Sequence, residues 1–252
     1  MSSIALWLSH LTNSQSFLSN KNFINNGFVV SVGDGIARVS GLSSIKAGEL
    51  VLFSSGIKGL VLNLEKNFVG VVVLGDDNLV GQGDLVVPTG QMFEVKVGLS
   101  LIKHVIDALG NPVDITSKTE ATESKLVEVK APGIISRKSV NEPLRTGLKS
   151  IDSMIPIGRG QRELIIGDRQ TGKTTIVLDT IILNKPNVKF SLNKNLFSIY
   201  VAIGQKRSNI AKLVTLLLRK KAFDFGSVVS ATASEPAALQ YIAPYSGCAF
   251  GE

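Results

Sequence analysis

Gly167-Asp168-Arg169-Gln170-Thr171-Gly172-Lys173-Thr174 fits the pattern G-x-x-x-x-G-K-[ST]. The apolar run Leu164-Ile165-Ile166 stands directly before it, and Thr175-Ile176-Val177-Leu178-Asp179-Thr180-Ile181-Ile182 follows with helical spacing. The pattern therefore predicts strand, loop and helix in succession. Glycines free the loop's N–H groups to wrap an anion, and the helix N-terminus adds partial positive charge. Lys173 is placed to reach the β- and γ-phosphates, and the Thr174 hydroxyl to face Mg²⁺. The expected ligand is a nucleoside phosphate; the loop alone leaves hydrolysis open.

Downstream, Leu196-Phe197-Ser198-Ile199-Tyr200-Val201-Ala202-Ile203 reads as a buried strand, and Gly226 to Ala231 as another. Between them Ser208 is expected to cap a helix carrying Ile210, Leu213, Val214 and Leu217. Ser234-Glu235-Pro236 opens a last helix, with Pro236 in its first turn and Cys248 packed among small residues near its end. The first helix should stop near Asn184, because Pro186 follows, and Asn187 to Asn195 is a polar crossover. Alternating strands and helices imply right-handed crossovers and a parallel sheet. Upstream of the loop, Thr146 is expected to cap a short helix through Leu148, Ile151, Asp152 and Met154 that ends before Pro156.

From Gly27 to about Phe93 short β-branched runs alternate with glycine turns. Phe28-Val29-Val30, Val51-Leu52-Phe53, Gly59-Leu60-Val61-Leu62 and Val69 to Val73 predict a small barrel or sandwich. The polar stretch Thr116 to Lys125 reads as a surface loop. Before the β-rich part, Met1 to Asn26 is a Ser/Asn-rich arm in which Ile4, Trp7, Leu8 and Leu11 form one face of a short helix. That stripe docks either on this chain's own body or on a partner. The boundaries expected are thus an arm over 1–26, a β-barrel over 27–93 and a phosphate-loop domain over 94–252.

Composition narrows the class. Of 252 residues 44% are hydrophobic and 19% charged, which describes a globular chain. The single cysteine excludes an internal disulfide. A net charge of +7 raises nucleic acid as a partner, but Lys and Arg are scattered and no reading module accompanies them, so nucleic acid is not expected. No apolar run approaches the roughly 20 residues that span a bilayer. Before Asp34 the only side-chain cation is Lys21, which does not support an Arg-rich import leader. His10 and His104 lack ligand-spaced partners, so zinc is not expected.

Several stretches carry a family likeness. Gly158-Arg159-Gly160-Gln161-Arg162-Glu163-Leu164-Ile165-Ile166-Gly167-Asp168-Arg169-Gln170-Thr171-Gly172-Lys173-Thr174 resembles the alpha subunit of F-type ATP synthase. So do Ser31 to Val39, Val105-Ile106-Asp107-Ala108-Leu109-Gly110-Asn111-Pro112, Tyr200-Val201-Ala202-Ile203-Gly204-Gln205-Lys206-Arg207-Ser208 and Val229 to Ser234. The likeness runs in order from about Gly27 to Glu252. It implies an α/β fold with an N-terminal all-β barrel and a RecA-like P-loop domain. It further implies a subunit of the catalytic head that holds ATP (or ADP) with Mg²⁺ and forms a ring with beta subunits. Gly167, Asp168, Arg169, Gln170, Thr171, Gly172, Lys173, Thr174 and Thr175 would bind the nucleotide, with Thr174 on the metal.

Gln205 stands where catalytic beta subunits of that family carry the glutamate that orients the attacking water. An amide can hydrogen-bond water but is no base at neutral pH, so no catalytic residue is expected. The alternative, an active ring ATPase such as an RNA helicase or secretion motor, expects a carboxylate at 205. The resemblance implies central-stalk and peripheral-stalk partners and a peripheral place on an energy-coupling membrane. The expected location is the matrix side of the mitochondrial inner membrane, ahead of bacterial or plastid membranes. It also implies a further strand with a Mg²⁺-side aspartate beyond Glu252. The domain is therefore expected to be incomplete on its C-terminal side, either completed by a complementary C-terminal alpha polypeptide or belonging to a fragment.

Overall fold

The computed structural model describes residues 26–114, 123–185 and 196–252. The arm helix expected around Ile4 to Leu11 and the crossover from Asn187 to Asn195 lie outside these residues. The chain divides into two compact units, Met1–Gln91 and Met92–Glu252.

In the first unit six antiparallel strands close on themselves in the order β1-β2-β5-β4-β3-β6. They are β1 (Gly27–Gly33), β2 (Ile36–Gly41), β3 (Glu49–Phe53), β4 (Lys58–Leu64), β5 (Val69–Val73) and β6 (Leu85–Met92). The barrel, not the sandwich, is formed. Strict alternation drives it: Val69, Val71 and Val73 point inward on β5, joined by Val29, Val39, Val51, Phe53, Val61 and Val86. β1 and β2 are joined by a two-residue turn in which Asp34 (φ 53°) and Gly35 (φ 76°) both adopt positive φ, as a tight hairpin requires. The Phe53 ring leaves no room for a side chain at Gly59 of β4. A Cβ on Gly59 would lie 2.7 Å from Phe53 Cε2 and 2.5 Å from Val71 Cγ1.

The second unit contains β7 (Glu94–Val97), β8 (Val105–Asp107), β9 (Glu123–Leu126), β10 (Pro143–Leu144), α1 (Lys149–Met154) and β11 (Ile157–Gly158). These are followed by α2 (Lys173–Leu183), β12 (Ser198–Gln205), α3 (Arg207–Arg219), β13 (Gly226–Thr232) and α4 (Ala237–Gly251). Its main sheet is parallel, in the order β12-β13-β8. Every residue of the central strand β13 is buried. On one face Val228 joins Ala202, Ile210, Leu213, Leu217 and Phe223, under Leu178, Ile181 and Ile182 of α2. On the other, Val229 and Ala231 join Leu101, Ile106 and Ala243 under α4. A parallel sheet covered on both faces is the arrangement that the alternation of strands and helices predicts.

Local expectations are corrected at several points. Leu164-Ile165-Ile166 forms no strand, and its side chains are exposed. A strand exists only through a ladder partner, and among the described strands this segment pairs with none. Ser124 and Lys125 are not loop, because Glu123–Leu126 pairs with Glu94–Val97 and Ser124 Oγ donates to Glu94 Oε2 (2.6 Å). Thr146 and Ser208 are not N-caps: those positions belong to Leu148 and Lys206, and Pro236 is itself the N-cap of α4. Cys248 is exposed, because the buried stripe of α4 runs through Ile242, Ala243, Ser246, Gly247 and Ala249.

Phe53→Ala should empty the barrel centre and lower the unfolding free energy of that unit by about 3–5 kcal/mol, read from chemical denaturation of the full chain.

Candidate functional site

The loop from Gly167 to Thr174 leads directly into α2. Gln170 (φ 67°) and Gly172 (φ 87°) turn the backbone through the left-handed region, and Gly172 is the N-cap of α2. Glycine suits the first position of the loop because a Cβ on Gly167 would stand 3.0 Å from Thr171 Oγ1. Thr171 Oγ1 donates to the Asp168 carbonyl (2.9 Å). Lys173 Nζ folds back and donates to the carbonyls of Gly167 and Asp168. No side chain caps α2, so its first-turn amides are available to an anion. The structure thus brings Gly167 through Thr175 together in one loop and helix start. Asp168, Arg169, Gln170, Thr174 and Thr175 are all exposed.

The direction of α2 is set by its far end. Lys185 Nζ donates to the carbonyl of Lys220, just past α3 (2.9 Å), so α2 and α3 end side by side near the start of β13. The N-terminus of α2 therefore faces the carboxyl edge of the parallel strands, the edge at which α/β sheets bind ligands.

That edge holds the other candidate, Gln205. A register slip between Ile203 and Gln205, with Gly204 at φ 65°, ends β12. The Gln205 amide donates through Nε2 to the Tyr200 hydroxyl (3.1 Å), and the Gln205 carbonyl accepts from Ala233 N (3.2 Å). Beside it, Thr232 Oγ1 lies 2.9 Å from Ser234 Oγ and donates to Glu235 Oε1 (3.1 Å). The other carboxylate oxygen, Glu235 Oε2, is buried with no hydrogen-bond partner among the described residues. Sequence reasoning assigned Glu235 only to a helix start; a Thr-x-Ser-Glu-Pro run closing a buried strand is the signal that could have marked it. Among the described residues no cluster of three or more His, Cys, Asp or Glu could by itself hold a metal ion. His104 Nδ1 instead lies 3.0 Å from Asp114 Oδ2.

The segment before the loop is fastened to α2. Asn184 Nδ2 donates to the Arg145 carbonyl (2.6 Å) and the Thr180 carbonyl (2.8 Å). Next to Arg145, the carboxylate of Asp152 accepts from Thr146 Oγ1 (2.6 Å), Thr146 N (2.9 Å) and Gly147 N (3.0 Å). The Thr146 hydroxyl, then the backbone N–H groups, hold Asp152 below its ordinary pKa of 3.8 against a smaller opposing effect of burial.

Residues 24–90 match the model of the ATP synthase alpha/beta family, beta-barrel domain, and residues 147–252 that of the ATP synthase alpha/beta family, nucleotide-binding domain. The two matches stand in order along the chain and together take in more than half of it. The chain belongs to the ATP synthase alpha/beta family. Its second unit is a nucleotide-binding domain. Among the described residues no helix is long and apolar enough to cross a membrane.

Because the folded pKa of Asp152 is depressed, its contribution is fully present above 3.8 and is lost as pH falls through the lowered value. Asp152→Asn should therefore lower the melting temperature at neutral pH, and the gap from the parent chain should close in strong acid. Thermal melts across that pH range check this.

Proposed function

We propose that this member of the ATP synthase alpha/beta family is an alpha-type subunit that holds a nucleotide without turning it over, within the catalytic head of a proton-translocating ATP synthase. The observation that carries this reading is Gln205. It ends the strand beside the phosphate loop's edge of the sheet, presents an amide, and donates that amide to Tyr200. The Gln205 amide can hydrogen-bond an attacking water but cannot take its proton as a base at neutral pH, whereas a carboxylate in that place does both.

Binding uses the chain's own groups. The amides at the start of α2 and the Lys173 ammonium meet the phosphate oxygens, Lys173 exchanging its carbonyl partners for phosphate. Arg169 and Gln170, exposed on the loop, contact phosphate or adenine. ATP or ADP is the ligand, and the Thr174 hydroxyl, on the first turn of α2, would supply one oxygen to Mg²⁺. The unpaired Glu235 oxygen at the same edge fits a hydrated divalent cation, which would neutralise phosphate charge. The partners in this reading are beta subunits in a ring and the central and peripheral stalks, with the chain peripheral to the mitochondrial inner membrane on its matrix side.

The full chain titrated with MgATP should take up nucleotide with turnover well below about 1 per second, the low end of ordinary enzymes. Turnover at or above that rate without beta subunits would overturn the reading. Lys173→Ala should weaken ATP binding by about 10- to 100-fold, the loss expected for charge-assisted hydrogen bonds to phosphate, with the melting curve of the nucleotide-free chain unchanged.

A further inference from the structure

We propose that Glu235, through an intervening water, anchors the Mg²⁺ that accompanies the bound nucleotide. This rests on the nucleotide-holding reading above and deepens it. The observation that carries it is the asymmetry of one carboxylate. Glu235 Oε1 accepts from Thr232 Oγ1, which is itself shared with Ser234 Oγ. Glu235 Oε2 is buried and has no hydrogen-bond partner among the described residues. A buried acceptor left unpaired bears its full desolvation penalty, so such an oxygen calls for a donor or a cation.

No such donor among the described residues reaches it. Among the described residues no Lys, Arg or His forms an ion pair with Glu235. The Gln205 amide, on the adjacent strand end, is already given to Tyr200. One oxygen of the half-buried Glu235 carboxylate and the backbone that carries it are held in place. Thr232, 3% exposed, orients one oxygen, and Gln240 Nε2 donates to the Glu235 carbonyl (2.9 Å), fixing the backbone from α4. Its position completes the case. Glu235 follows the carboxyl end of β13, the sheet edge that the N-terminus of α2 faces.

Mg²⁺ gives up its waters reluctantly and is commonly held by one or two carboxylates together with phosphates. Its bound waters are strong donors, and an oriented carboxylate that accepts from one of them fixes the ion indirectly. In this arrangement Thr174 and the phosphates would supply the direct oxygens, and Glu235 the outer acceptor.

The test is calorimetric titration of the full chain and of Glu235→Gln with ATP, once with Mg²⁺ and once with EDTA. Glu235→Gln should bind ATP in EDTA as the parent does, within about twofold, and lose about 10- to 100-fold in the Mg²⁺ series, the range for outer-shell partners of a metal. Equal losses in both series mark a purely structural role and overturn the proposal, as does no loss in either. If Glu235→Gln melts out, Thr232→Val keeps the charge and removes the hydroxyl that orients it. A loss confined to the Mg²⁺ series then supports the proposal, and its absence overturns it. Failure of the parent chain to bind ATP in either series would instead overturn the nucleotide-holding reading, and this one with it.

Discussion

The parallel pairing of β12 with β13 is the constraint on which the second unit depends. Its register runs without a break from Ser198↔Gly226 to Ile203↔Ala231 and slips only at Gln205↔Thr232. Because β13 is buried on both faces, a one-residue shift would exchange Val228 and Val229 between the two cores and unseat α2 and α4 together. The register thereby fixes more than the core. It delivers Gln205 and Thr232 to a common edge, one carrying a neutral amide and the other a hydroxyl bound to a carboxylate. The slip itself falls where packing ends and ligand chemistry begins.

The phosphate loop takes its place from that sheet at second hand. Leu178, Ile181 and Ile182 seat α2 on the face shared with Val228, while Lys185 and Asn184 secure its far end to Lys220 and Arg145. A loop whose own residues are exposed can hold a defined geometry only if the helix it opens is anchored elsewhere. Asp152 extends this anchoring into the segment before the loop, since the Thr146–Gly147 turn it organises follows directly on Arg145.

What was legible in the sequence follows from how local the cause is. The loop from Gly167 to Thr174, the end of α2 near Asn184 and the glycine-separated valine runs of the barrel depend on neighbours a few residues away, and they stand where the residues place them. Leu164-Ile165-Ile166 is apolar enough for a strand, yet strand formation is decided by a partner that no short window contains. The same cause hid β9: the polarity of Ser124 and Lys125 reads as loop until Glu94–Val97 lies beside them. Cys248 was misplaced by one step of helical phase. The free oxygen of Glu235 could not be read at all, because it depends on which of two oxygens Thr232 reaches.

The barrel's closure has a kinetic corollary. Its last joint, between β1 and β6, rests on only Gly27↔Val86 and Phe28↔Leu85, helped by Val29 N to the Asp84 carbonyl and Gly83 N to the Val29 carbonyl. The joint between β1 and β2, by contrast, extends from Gly27↔Gly41 to Gly33↔Ile36. A joint as short as that of β1 with β6 opens readily, so its amides should trade hydrogen for deuterium ahead of the β4–β5 wall. While the joint is apart, β1 and β6 become free edges able to template on another chain. On this side the interior that stabilises the barrel is thus guarded, in time, by a few hydrogen bonds.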